Sequence, residues 1–203
     1  MHRRQQHPLS NMPVIALGWL CCSVFIAFSA HAETEKPLAQ TKFLGLPLLT
    51  SSTEDVREHF WKVGGFLQAK STIKQLNYDK FFTWSAIRDS YYVSFEYNYA
   101  GQIIKAKRLY RPTSLENNNR HTPIKTIDIA RELIADLGNP SSVERKGWGG
   151  SLTYRSYRWE DETMRVIVDR EGSESLGNIF VEYQIKSHDR FAVEQNDATG
   201  NNI

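Results

Sequence analysis

Cysteine is nearly absent: the chain holds two in 203 residues, Cys21 and Cys22, side by side in one apolar run. If that run is removed by processing, no disulfide can form, and thiol catalysis and cysteine-ligated zinc are excluded. Histidine is also sparse. Beyond the first 32 residues only His59, His121 and His188 remain, with no His-x-x-x-His pair. There is no Gly-x-Ser-x-Gly elbow and no glycine-rich phosphate loop ahead of a helix. An excess of one charge is missing too, with 25 Lys and Arg against 23 Asp and Glu. The expectation is therefore no cofactor, no metal and no catalytic motif, and no generally basic surface for nucleic acid.

What is present begins with an export signal. His2, Arg3 and Arg4 form a basic start, Val14 to Ala30 is an almost unbroken apolar run, and Ala30-His31-Ala32 has the small-x-small pattern of a cleavage site. Residues 1–32 thus read as a signal peptide, which implies a periplasmic or secreted protein without stable membrane insertion after cleavage. An uncleaved anchor is the alternative, since 17 residues is the lower limit of the roughly 17–25 needed to span a bilayer. Lipidation does not fit, because Leu20 precedes Cys21 and Cys21 precedes Cys22, where a small residue is needed. Removal of the leader leaves 171 of 203 residues and lowers the basic count from 25 to 23, equal to the acidic count.

Residues 33–42 read as a polar, flexible lead-in, and Phe43 to Leu49 as an extended apolar segment broken by Gly45 and Pro47. Ser51, Ser52 and Thr53 are candidate N-caps for a helix carrying Val56, Phe60 and Val63, with Gly64-Gly65 as its stop. Strands follow: one marked by Phe81, Phe82 and Trp84, one over Tyr91 to Tyr99, and a hairpin return over Gln102 to Tyr110. In the second of these Tyr91, Val93, Phe95, Tyr97 and Tyr99 alternate with Tyr92, Ser94, Glu96 and Asn98. Residues 112–124, with Pro112, Asn117 to Asn119 and Pro123, read as a linker. The order then repeats: a helix with Ile127, Ala130, Leu133, Ile134 and Leu137, a stop at Gly138, and strands at Ser141–Lys146, Ser151–Trp159, Thr163–Asp169 and Asn178–Ile185. Residues 187–203 form a polar tail. The fold class is α+β, in two similar units over 43–111 and 125–186, each one helix on a three- or four-stranded antiparallel sheet. Setting Gly64 on Gly138 gives an offset of 74 that brings Val93 onto Ile167.

Leu137-Gly138-Asn139-Pro140, closing a helix before meandering strands, resembles the small helix-plus-sheet domains of the SmpA/OmlA outer-membrane assembly lipoproteins. Gly45-Leu46-Pro47-Leu48 before a capped helix resembles the entry to such a unit. Two units in tandem resemble the β-lactamase-inhibitor-protein architecture. The resemblance spans most of residues 43–186 and implies a binding module with a sheet face for its partner. It carries over no particular binding residue.

Two aromatic sets are candidate binding surfaces. Within Tyr78 to Tyr99, Trp84 and Tyr92 are the rings expected outside the core, Tyr92 because it lies opposite the apolar set. In the second set Arg155, Tyr157 and Trp159 share a strand face that could grip an acidic loop of a partner or stack on a sugar. The plainer readings are core rings in the first case and ordinary cross-strand pairs in the second. Lys105 and Lys107 share a face as well, and edge-strand protection is the expected role. Glu160-Asp161-Glu162 reads as a solvated hairpin tip. The expected function is capture of a periplasmic or envelope protein, as inhibitor or assembly factor, with the oligomeric state open. The alternative is a hydrolase or ligand-binding protein acting on an envelope glycan or lipid through carboxylates scattered in sequence.

Overall fold

A computed structural model describes residues 37–67, 77–83, 87–114, 122–147, 153–173 and 176–191. Helix α1 (Thr53–Lys62) opens on a reciprocal cap: Asp55 N–H donates to Ser52 Oγ at 3.2 Å, and Ser52 N–H donates to Asp55 Oδ2 at 2.8 Å. Val56 and Phe60, one turn apart, are its buried residues. Helix α2 (Thr126–Leu137) has no side-chain cap at its start and buries Thr126, Ile129, Ala130 and Leu137. It ends at Gly138, whose φ of +75° suits glycine and whose N–H donates to Ile134 O at 3.0 Å.

Before α1 the strands β1 (Lys42–Phe43) and β2 (Leu46–Pro47) form a tight hairpin. Its two-residue loop needs positive φ at both positions, and Leu44 at +53° and Gly45 at +90° supply it. His59 of α1 donates through Nε2 to Leu44 O at 2.8 Å and holds the loop in place. The described part of this segment is packed. Leu38 and Thr41, expected in the polar lead-in, are buried beside Phe43, Leu46 and Leu48.

After α1 come β3 (Gly65–Leu67), β4 (Tyr78–Thr83), β5 (Ser90–Tyr97) and β6 (Ile103–Tyr110). After α2 come β9 (Ser142–Lys146), β10 (Tyr154–Glu160), β11 (Met164–Arg170) and β12 (Ile179–Ile185). The short strands β7 (Thr113–Ser114) and β8 (Thr122–Pro123) pair with each other within the expected linker. The eight long strands make one antiparallel sheet in the order β3-β4-β5-β6-β12-β11-β10-β9. Each half is a meander, and β6 joins β12 in the middle. The α+β class is as expected. The offset of 74 does not carry through the strands, because Val93 is fully buried on the helix side and Ile167 pairs into the opposite face.

Both helices lie on one face. The cross-strand row Asp79–Phe95–Ala106–Tyr183–Val166–Trp159 runs beneath them from β4 to β10. Phe60 of α1 stacks on Phe81 at 4.8 Å and meets Phe95 edge-on at 5.3 Å. The indole of Trp159 donates to Gly138 O at 2.8 Å, tying the end of α2 to β10. Phe43 packs edge-on against Phe95 at 5.6 Å and Tyr183 at 5.0 Å, so one ring spans the β6–β12 junction. No helix among the described residues is long and apolar enough to cross a membrane.

Two polar anchors lock this core. Arg57 of α1 grips the buried Asp79 through Nε at 2.8 Å and Nη2 at 3.1 Å, and the Tyr97 hydroxyl donates to the same carboxylate at 3.2 Å. Burial, then the Asp79 charge, pushes the Tyr97 hydroxyl pKa up. Asp161 organises the β10–β11 turn: its Oδ1 accepts from Thr163 N–H, Thr163 Oγ1 and Met164 N–H at 2.7–2.8 Å. Its Oδ2 accepts from Leu38 N–H at 3.0 Å, so the expected solvated hairpin tip clamps the chain entry. Burial alone would raise the Asp161 pKa, but these hydrogen bonds outweigh it and hold the carboxyl below its ordinary value.

Arg57→Met leaves Asp79 buried without its cation and is expected to cost about 3 kcal/mol by denaturant unfolding. Adding Asp79→Asn should return part of that loss, whereas additive losses would show that the pair is not coupled. Asp161→Asn should cost about 1.5–3 kcal/mol at neutral pH. Because the folded Asp161 pKa is depressed, its stabilisation is complete above the unfolded value near 3.9 and is lost as pH falls through the folded value. The gap between wild type and variant should therefore narrow progressively as the pH is lowered below the unfolded value, as read from unfolding curves at falling pH.

Candidate interaction face

The face of the sheet turned away from both helices carries three ordered rows. Strand alternation places Phe82, Tyr92, Leu109, Phe180 and Asp169 in register along the first row, across β4, β5, β6, β12 and β11. The second row is Lys80–Ser94–Lys107–Glu182–Ile167–Arg158, and the third is Tyr78–Glu96–Lys105–Gln184–Arg165–Glu160. An apolar and aromatic band thus lies beside two charged ones. Leu109, at 5% exposure, is sheltered by its neighbours, while Phe82 is 44% exposed. Tyr92 and Phe180 are half-buried between these limits.

The charges tie the rows together. Lys80 Nζ sits 3.8 Å from the Tyr92 ring centroid and 5.3 Å from that of Phe82. Lys107 Nζ lies 4.5 Å from the Phe180 ring and 3.4 Å from Glu171 Oε1. Lys105 pairs with Glu96 at 3.2 Å. Arg165 and Lys186 converge on Glu160 at 2.7 and 2.8 Å, and these hydrogen bonds pull its pKa down to about 2. Among the described residues Lys80 alone of these lysines has no carboxylate within 4.0 Å; it rests on two rings instead. Burial, with a smaller contribution from Glu171, pushes the Tyr92 hydroxyl up to about 12, so it is a neutral donor at any physiological pH.

Toward β9 the face becomes polar and closed. Asp169 accepts from Lys146 Nζ at 2.6 Å, Tyr154 Oη at 2.7 Å and Arg170 N–H at 2.7 Å. Burial would raise this carboxyl, yet the three donors hold it below its ordinary value. The cluster is internally satisfied and terminates the aromatic band.

Of the residues singled out from the sequence, Tyr92 lies at the centre of this face. Trp84 falls outside the described residues. Tyr157 and Trp159 do not form a surface: they are 4% and 2% exposed, stacked at 6.5 Å and covered by α2. Alternation turned them toward the helix because their row continues into Val168 and Val166. Arg155 shares their side of β10 but is exposed beside Arg145 of β9, where the helix no longer covers the sheet. Lys105 and Lys107 are not edge-strand guards, since β6 is central and both lysines pair across it. Phe82, Leu109 and Phe180 were the residues missed. Alternation puts Phe82 opposite Phe81, and Phe180 opposite Ile179 and Val181, but their meeting depends on the β6–β12 register.

Leu109→Ala should cost about 2–3 kcal/mol in denaturant unfolding, since the site is closed on both sides. Phe82→Ala should cost less than about 1 kcal/mol because nearly half of the ring is already in water. Equal losses would mean that the band is core and has no accessible part. No protein-family model, curated protein or solved structure matches this chain.

Proposed function

We propose that this chain is an exported, non-catalytic binding module that engages an envelope or periplasmic protein through the uncovered face of its sheet. Residues 1–32 direct export, and residues 43–111 and 125–186 act as two units of one plan, each a helix with a four-stranded meander. Residues 112–124 connect them. The observation that carries the reading is the continuous band Phe82–Tyr92–Leu109–Phe180, which no helix covers among the described residues. Such a band offers rigid apolar area with one phenolic donor, the composition that dominates protein interfaces. Lys80, held over the rings without a carboxylate of its own, specifies a partner that brings an acidic side chain beside an apolar one.

The test is crosslinking capture from an envelope extract with wild-type bait and with the double variant Phe82→Ala/Tyr92→Ala, both checked by circular dichroism. A saturable partner retained by wild type and weakened at least about tenfold in the folded double variant supports this face. Equal capture by both removes it. Self-association of the wild type that the variant lacks would assign the face to a second copy of the chain.

A further inference from the structure

On the opposite side of the sheet a crevice runs between the β1–β2 hairpin and α2, directly above the β6–β12 junction. It holds about 310 Å³ and adjoins a second hollow of about 230 Å³, with Lys42, Leu133, Asp136 and Tyr183 lining both. The first volume is at the lower end of the roughly 300–1,000 Å³ of small-molecule sites, and the second falls below it.

Its floor is Arg108, set between Val93 and Val181 in the cross-strand row. The Arg108 Nε donates to Ser90 Oγ at 2.7 Å, and the guanidinium carbon lies 4.3 Å from the Tyr110 ring centroid. These contacts fix the plane of the group. Nη1 and Nη2 make no hydrogen bond to a described residue, and no described carboxylate lies within 4.0 Å. A planar cation held this way, beside Tyr110, Val181 and Tyr183 and with Lys42 and Glu132 on the walls, is suited to bidentate recognition of a carboxylate. Phe43, Leu44, Ile129 and Leu133 supply apolar walls. Asp136, on the α2 rim, has no described cation within 4.0 Å. In the adjoining hollow the Thr41 hydroxyl is buried with no hydrogen-bond partner among the described residues.

We infer that this crevice binds a small zwitterion of amino-acid or dipeptide size. Its carboxylate pairs with Arg108, its apolar side chain lies against Phe43 and Leu133, and its amine faces Asp136. A simple inorganic anion fits less well, because it would meet the Asp136 charge without offering anything to it. The site is separate from the proposed partner face, which lies on the other side of the sheet.

The probe is leucyl-phenylalanine, compared with leucyl-phenylalanine amide and N-acetyl-leucyl-phenylalanine, titrated into the full exported chain and followed by amide chemical shifts and calorimetry. The zwitterion should shift resonances of residues 41–45 and of α2, and the C-terminal amide should bind at least about tenfold more weakly. Asp136→Asn, an exposed rim change, should weaken the zwitterion and leave the acetylated peptide unaffected. Arg108→Gln should abolish binding of both acids. If that variant does not fold, the amide comparison and Asp136→Asn still decide. No shifts at millimolar dipeptide, or equal binding of acid and amide, would overturn the inference. These readouts do not involve the partner face, so failure here leaves the capture experiment intact, and the reverse also holds.

Discussion

The pairing of β6 with β12 is the constraint on which the rest of this structure depends. These strands are far apart in sequence, and each ends a meander begun by its own helix. Without their ladder the halves would present two open edges, which sheets tolerate poorly. With it, one eight-stranded sheet forms, and each face acquires a feature neither half has alone. On one side Leu109 meets Phe180, and the aromatic band becomes continuous. On the other Arg108 meets Val181, and a cation comes to rest at the bottom of a crevice.

The entry segment completes this arrangement. Leu38, Phe43, Leu46 and Leu48 fill the space beside the helices, with Phe43 touching a ring from each half. Burying four such side chains contributes on the order of 1.5–3 kcal/mol each as an upper estimate. The clamp of Leu38 N–H on Asp161 and of Leu44 O on His59 sets where the segment runs. One of these anchors belongs to α1 and the other to the β10–β11 turn, so the segment staples both halves.

Two kinds of charged group stand out in the fold. Asp79, Asp161 and Asp169 are each saturated by donors within the chain, and this satisfaction makes their burial tolerable. Lys80 and Arg108 differ: each is positioned by aromatic rings and, among the described residues, leaves donors uncommitted toward an accessible surface. Internal saturation marks scaffold, and the held cations are the groups on which the proposed partner face and ligand crevice rest.

The local elements were legible because their causes are local. The Ser52–Asp55 cap, the glycine after each helix and the alternation from Val93 to Tyr97 each act within a few residues, and α1, α2 and the long strands lie close to where these signals put them. The side of a strand that becomes core is not local. Tyr157 and Trp159 alternate on β10 just as Phe82 and Tyr92 do on the other side of β4 and β5, yet α2 covers the first pair and nothing described covers the second. The sequence by itself determined helix, strand and turn, through caps, periodicity and backbone preference. Only the tertiary structure decided which face is covered, how the two meanders share one sheet, and which residues meet across it. Register between distant strands is set by the simultaneous packing of both helices and the entry segment, a condition that no single stretch of chain contains.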